Sequence, residues 1–294
     1  IFGTLLTANG SLKQLNIAPS ALRTAKHPTD LGLTLILPFR PPYNWRALHG
    51  FLAKRVIEPI EWLTPTSYGR TFTYKSCRGR FNAEFIADKH HFRVQIDIDN
   101  TQYLQPVINN IRRVLDLDAD TYLIEAHLSE HINNAFPLTK GLRLPGIWST
   151  FEAGIRAVLG QQVSVTAAHN LVTQLVQQLS EQQEGKVYFP TPEVVAGSDF
   201  AFFKMPQARK NALHNLAEFC AIHPKEDDLD QWLTLKGIGP WTVNYAKLRG
   251  QSQPDILLNG DLGVKKAQAA ASSFESANCA PFRSYLTFQL WQQL

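Results

Sequence analysis

Before about residue 100 this chain carries strand-like segments, the last with apolar residues at every second position, and beyond Gln105 its apolar residues recur at every third and fourth. The run His91 to Ile98 shows the first pattern, with Phe92, Val94, Ile96 and Ile98 separated by polar neighbours. A period of two covers one face of a strand, and a period near 3.6 covers one stripe of a helix. The change of period predicts an α+β chain in which a sheet comes first and helices follow. Strands are predicted at Leu31 to Phe39, Ser67 to Lys75, Arg80 to Ile86 and His91 to Ile98. A helix from Asn44 to Val56 presents Trp45, Leu48, Phe51 and Leu52 on one face, to cover a small antiparallel sheet. Helices are then predicted at Val107 to Leu115, Asp120 to Leu128, Thr150 to Leu159, Val163 to Leu179, Gln207 to Cys220, Leu229 to Leu235 and Pro240 to Leu248. The second half reads as all helical, with the glutamine-rich Glu181 to Gly185 as an exposed connector.

Composition narrows the classes of function. The chain has 294 residues, 44% of them hydrophobic and 18% charged, long enough for two domains or for one domain with an appended smaller one, each with its own core. A formal charge of +4 permits a polyanionic partner without demanding one. Cys77, Cys220 and Cys279 lack the close spacing of zinc or iron–sulfur sites, which suits a reduced, cytoplasmic setting. No apolar run approaches the ~20 residues of a membrane span, and no charged start leads into an apolar export signal. The first residue is Ile1, so a fragment of a longer protein is expected.

Two segments carry chemistry. In Leu233-Thr-Leu-Lys-Gly-Ile-Gly-Pro-Trp-Thr-Val-Asn-Tyr245 one helix ends, a Gly-Ile-Gly turn follows, and Pro240 opens the next helix. Such a turn aims backbone N–H groups and a helix N-terminus at a phosphate without reading base identity. It is also an ordinary way to join two helices. Downstream, Asp261 stands where a loop gives way to a helical pattern, a position where a carboxylate caps the helix and needs no further role.

Taken together, the hairpin and the Asp261 loop resemble the helix-hairpin-helix DNA glycosylase superfamily. The segments Gly141-Leu-Arg-Leu-Pro-Gly146, Phe151 to Val165 (FEAGIRAVLGQQVSV), Leu33 to Trp45 (LTLILPFRPPYNW) and Pro281-Phe-Arg-Ser-Tyr285 extend the likeness. It runs from about residue 31 to the end and resembles the bacterial 3-methyladenine DNA glycosylase II, or AlkA-like, family. Residues 11–25 resemble the last helix of an AraC-type helix-turn-helix region. The resemblance implies a tail of an upstream regulatory region at 1–28, a TATA-binding-protein-like α/β domain at 29–105 and a helical helix-hairpin-helix domain at 106–294.

It also implies roles. Asp261 becomes the catalytic carboxylate that stabilises an oxocarbenium-like sugar, and Trp241, Tyr245 and Phe282 become a base pocket whose ring faces attract a cationic, alkylated purine. Gln162 becomes the side chain that fills the gap left by the extruded nucleotide. Lys236, Gly237, Ile238, Gly239 and Thr242 contact DNA. Relatives that also cut the strand carry a lysine where this chain has Trp241, so hydrolysis alone is expected. No cofactor is required, although the backbone carbonyls of Leu233, Leu235 and Ile238 match the family's hairpin site for a monovalent cation. Leu262 departs from relatives in which an aromatic residue follows the Asp. The expected partner is duplex DNA containing alkylated bases, met by a monomer. The rival expectation is a non-catalytic DNA-binding sensor module of a repair-linked regulator, which would have no use for a carboxylate at Asp261.

Overall fold

The computed structural model describes residues 32–224 and 227–294. The expected regulatory tail at 1–28 lies outside the described residues. Five strands form one antiparallel sheet in the order β1-β5-β4-β3-β2. They are β1 (Leu33–Pro38), β2 (Glu61–Thr64), β3 (Ser67–Tyr74), β4 (Cys77–Ile86) and β5 (His91–Ile98). The alternation read in β5 sets its facing: Phe92, Val94 and Ile96 are at most 1% exposed, while Arg93 between them is exposed. These side chains share a core with Leu35 and Leu37 of β1 and Phe81 and Ala83 of β4. Helix α1 (Trp45–Ala53) and helix α2 (Leu104–Val114) close that core with Trp45, Leu48, Leu52, Val107, Ile108 and Ile111. Full burial of each large apolar side chain contributes ~1.5–3 kcal/mol, so the alternation is energetically decisive.

The helices that follow are α3 (Thr121–Ile132), α4 (Thr150–Gly160), α5 (Val165–Leu179), α6 (Pro192–Ala196), α7 (Gln207–Ile222), α8 (Pro240–Gly250), α9 (Leu262–Ala270) and α10 (Arg283–Trp291). Their starts are chemically marked. The Ser149 and Ser164 hydroxyls accept from the N–H groups of Glu152 and Ala167, capping α4 and α5. Leu229–Thr234, expected as an α-helix, is a 3-10 helix of six residues. The second half is also not wholly helical. Gln182–Gln183 (β6) pairs antiparallel with Lys186–Val187 (β7) across Glu184 and Gly185. The φ values of 51° and 74° at those two residues are the left-handed pair that a two-residue hairpin demands, which explains why the expected connector folds back on itself. Lys186 Nζ then reaches Asp97 of β5 at 2.8 Å.

A buried ion cluster ties the sheet to the helices. Arg70 of β3 meets Glu61 of β2 at 3.3 Å and Glu152 of α4 at 2.8 Å. Arg156, one turn along α4 from Glu152, meets Glu61 at 2.9 Å and Glu152 at 2.6 Å. Two cations and two anions are thus removed from water together, with the Tyr68 hydroxyl donating to Glu61 at 2.8 Å. Burial alone would raise the Glu61 carboxyl, but the guanidiniums of Arg156 and Arg70 overcome it and hold the group down at about 2. The helical half packs around two apolar clusters, one built on α4, α5 and α7 and the other on α3, α9 and α10. Among the described residues, no helix is long and apolar enough to cross a membrane.

Candidate active site and nucleic-acid interface

The hairpin joins the 3-10 helix at Leu229–Thr234 to α8 through Leu235-Lys-Gly-Ile-Gly239. Ile238 N–H donates to the Leu235 carbonyl at 3.1 Å, closing a tight turn. Gly237 has φ +92°, and a Cβ there would stand 2.6 Å from Cβ of Ala212 on α7, so both backbone angle and space require glycine. Gly239 caps α8 and Pro240 occupies its first turn, where a missing N–H costs nothing. Lys236 and Gly237 are exposed, Ile238 is buried, and the N–H groups of Gly237 and Gly239 make no hydrogen bond among the described residues. These free donors at a helix N-terminus form a surface suited to an anion. Thr242 points elsewhere: it is 1% exposed, its N–H donates to Gly239 O, and its hydroxyl accepts from Gln161 Nε2 at 3.1 Å.

One turn along α8 from Trp241 stands Tyr245, with ring centroids 5.5 Å apart. Tyr245 packs against both helical clusters and Trp241 against the second. The loop before Asp261 lies directly on the Trp241 ring, since a Cβ on Gly260 would meet Trp241 Cδ1 at 3.3 Å. This contact brings the hairpin helix and the carboxylate together.

Asp261 is the N-cap of α9, and its Oδ1 accepts from the N–H groups of Gly263 at 2.9 Å and Val264 at 3.1 Å. The same oxygen accepts from Trp291 Nε1 at 3.0 Å. Its Oδ2 takes no hydrogen bond among the described residues, and the side chain is half-buried. One oxygen is therefore fixed by three donors while the other keeps its lone pairs free.

Neither Trp291 nor Arg55 stands out in the sequence. Trp291 ends α10 and stacks at 6.1 Å on Phe51 of α1. The Arg55 guanidinium lies over the same Phe51 ring, 3.8 Å from its centroid. Burial lowers Arg55 to about 10; Tyr245 and Asp261 oppose this shift, and the cations Arg249 and Arg156 add to it. Arg249, 4% exposed, donates to the Tyr245 hydroxyl at 3.3 Å. Two cations thus border the Tyr245 side of the site. A tryptophan in an apolar helix and an arginine just after a helix give no local sign of such contacts, which close only in three dimensions.

The remaining expected residues spread out. Phe282 is half-buried at the start of α10, edge-on to His127 at 5.4 Å, and no ring contact joins it to Trp241 or Tyr245 among the described residues. Gln162 is exposed in the turn between α4 and α5 with φ +56°. Leu262 is 69% exposed beside Asp261. Among the described residues the carbonyls of Leu233 and Ile238 accept no backbone hydrogen bond outside the helices, whereas that of Leu235 is used by Ile238.

Comparison with known proteins places this arrangement. Residues 34–149 match the AlkA N-terminal domain family. The chain is 30% identical over 273 residues to DNA-3-methyladenine glycosylase 2 of Escherichia coli (strain K12), covering 87% of this chain and 95% of that protein. It is also 30% identical to the probable bifunctional transcriptional activator/DNA repair enzyme AlkA of Mycobacterium tuberculosis (strain CDC 1551 / Oshkosh), across 89% of this chain but only 57% of that protein. In fold it is similar to the 3-methyladenine DNA-glycosylase from Archaeoglobus fulgidus, with TM-score 0.68 at 17% identity over 87% of this chain and 96% of that one. With 30% identity across nearly the whole Escherichia coli enzyme, the chain belongs to the DNA-3-methyladenine glycosylase 2 family.

Proposed function

We propose that the chain excises alkylated purines from duplex DNA by hydrolysing the N-glycosidic bond, as a monofunctional base-excision glycosylase acting as a monomer. The observation that carries this reading is the state of Asp261: Oδ1 held by three donors, Oδ2 free, and the loop packed on Trp241. Cleavage of the bond builds positive charge on the sugar, and an oriented carboxylate stabilises it. Asp261 supplies that charge and orients the attacking water. Alkylation at N3 or N7 makes the purine a cation that departs as a neutral molecule, so no general acid is required. The faces of Trp241 and Tyr245 attract such a base by ~0.5–2 kcal/mol each. From α10 we assign the third wall to Trp291, which meets Asp261, with Phe282 at the opposite end of that helix.

DNA is held by its backbone: the free N–H groups of Gly237 and Gly239, with Lys236 beside them, face a phosphate, and Thr242 supports the turn from within. Gln162 enters the stack where the nucleotide has left. Neutral carbonyl oxygens suit a hard cation, so Leu233, Leu235 and Ile238 would hold a monovalent ion that lessens the charge repelling approach of the phosphate. Trp241 offers no amine for a Schiff base, which supports hydrolysis without strand cleavage. The reading of residues 11–25 as the end of an AraC-type region rests on their resemblance, with the name of the Mycobacterium tuberculosis relative in its favour. The test is chromatography of bases released from methylated DNA. Free methylated purines are expected, and their absence at enzyme excess would overturn the proposal.

A further inference from the structure

The turn between α4 and α5 is strained and is held by more contacts than a connector needs. Gln162 has φ +56°, a conformation that costs a residue with a Cβ ~1–2 kcal/mol and persists where neighbours enforce it. The residue before it, Gln161, is the point of enforcement. Its carbonyl accepts from Arg209 Nη2 at 2.7 Å, and its side-chain amide donates to Gly237 O at 3.2 Å and to Thr242 Oγ1 at 3.1 Å. Both acceptors belong to the hairpin. Helix α7 braces the two pieces from one side: Arg209 holds the turn, Ala212 meets Gly237, and Asn215 Nδ2 donates to Lys236 O at 3.0 Å. The spacing of three puts these side chains on one face of α7.

We infer that Gln161 is a positioning residue that couples the turn presenting Gln162 to the hairpin that holds phosphate. The Gly237 carbonyl can only accept, so the link to it needs a donor, and the primary amide supplies two N–H groups on one nitrogen, one for each partner. Glutamate at this position would offer only acceptors, and leucine nothing. With the link intact, seating the backbone on the hairpin also fixes where Gln162 enters the stack, so the nucleotide is pushed out of a duplex held in register. Without it the hairpin still binds phosphate, but the turn relaxes and extrusion is no longer tied to binding. This inference rests on the proposed roles of the hairpin and of Gln162.

The test compares Gln161→Leu, Gln161→Glu and Gln162→Ala with the parent chain. Single-turnover excision is measured for one methylated base in a fully paired duplex and for the same base in a single strand, where no stack need be broken. Fluorescence of 2-aminopurine beside the lesion reports extrusion, and thermal melts report folding. Loss of a bridging hydrogen bond of ordinary strength predicts that the ratio of paired to single-strand excision falls about tenfold in both Gln161 variants, with a matching loss of the fluorescence rise. An equal fall on both substrates would reduce Gln161 to a structural residue, and parental rates on both would remove it from the mechanism; either overturns the inference. If Gln162→Ala keeps the parental ratio while the Gln161 variants lose it, the role given to Gln162 fails and the coupling inferred here is overturned with it. A parent chain that releases no base overturns the functional reading and this inference with it.

Discussion

Replacing Arg70 with methionine tests the ion cluster that sets the sheet against α4. Arg70 is 1% exposed, and its guanidinium is shared by Glu61 and Glu152, each also buried. In Arg70→Met those two carboxylates keep Arg156 alone, so one buried negative charge loses its counterpart. Breaking a buried pair in this way costs ~3–5 kcal/mol, and at ~2–4 °C per kcal/mol for a chain of this size the melting temperature should fall by roughly 6–20 °C. Adding Glu152→Met removes the orphaned charge and should recover most of the loss, leaving the Glu61–Arg156 pair at 2.9 Å. The sign with pH follows from Glu61. Its folded value of about 2 lies below the ordinary 4.5, so the stability it contributes is present above 4.5 and is lost as pH falls towards 2. Asp116, raised to about 6 by burial, has the opposite slope: its contribution is present below 3.8 and is lost as pH rises through 6. Melts of parent, single and double variants by circular dichroism between pH 2 and pH 7 decide the matter. A single variant that melts within ~2 °C of the parent would show that the cluster contributes nothing net, contrary to this reasoning.

Two further outcomes concern DNA. Borohydride should trap no covalent protein–DNA adduct above background, because Trp241 has no amine to form one; efficient trapping would point to another amine such as Lys236. Binding to undamaged duplex should weaken as salt rises and be similar for unrelated sequences, since backbone amides carry no sequence code, whereas a strong preference for one sequence would favour the sensor reading.

The sheet was largely legible because four of its strands alternate or are bounded by turn residues, and β5 matches its predicted span from His91 to Ile98. β2 escaped because it has only four residues and begins with Glu61, a charge that reads as loop until Arg70 and Arg156 are seen around it. α6 is five residues long, below the length at which a helical period can be counted. The hairpin at Gly237 and the cap at Asp261 were legible because glycine at positive φ and a carboxylate at a helix start are local requirements. The partners of those residues were not local. Trp291 reaches Asp261 from the last helix, and Thr242, expected to contact DNA, is buried with its hydroxyl accepting from Gln161.

Asp261→Asn isolates the charge on which the proposed chemistry depends. Asparagine can place its carbonyl where Oδ1 stands and keep the bonds from Gly263, Val264 and Trp291, so capping and folding should survive. What disappears is the anion proposed to face the sugar, an electrostatic group of the kind worth ~2.7–4 kcal/mol in the transition state, or roughly a hundredfold or more in rate. Single-turnover excision from methylated duplex, measured beside a thermal melt of both proteins, should show that loss with an unchanged melting temperature. An Asp261→Asn variant that excises bases at the parental rate would make Asp261 a helix cap only, and the catalytic account would be wrong.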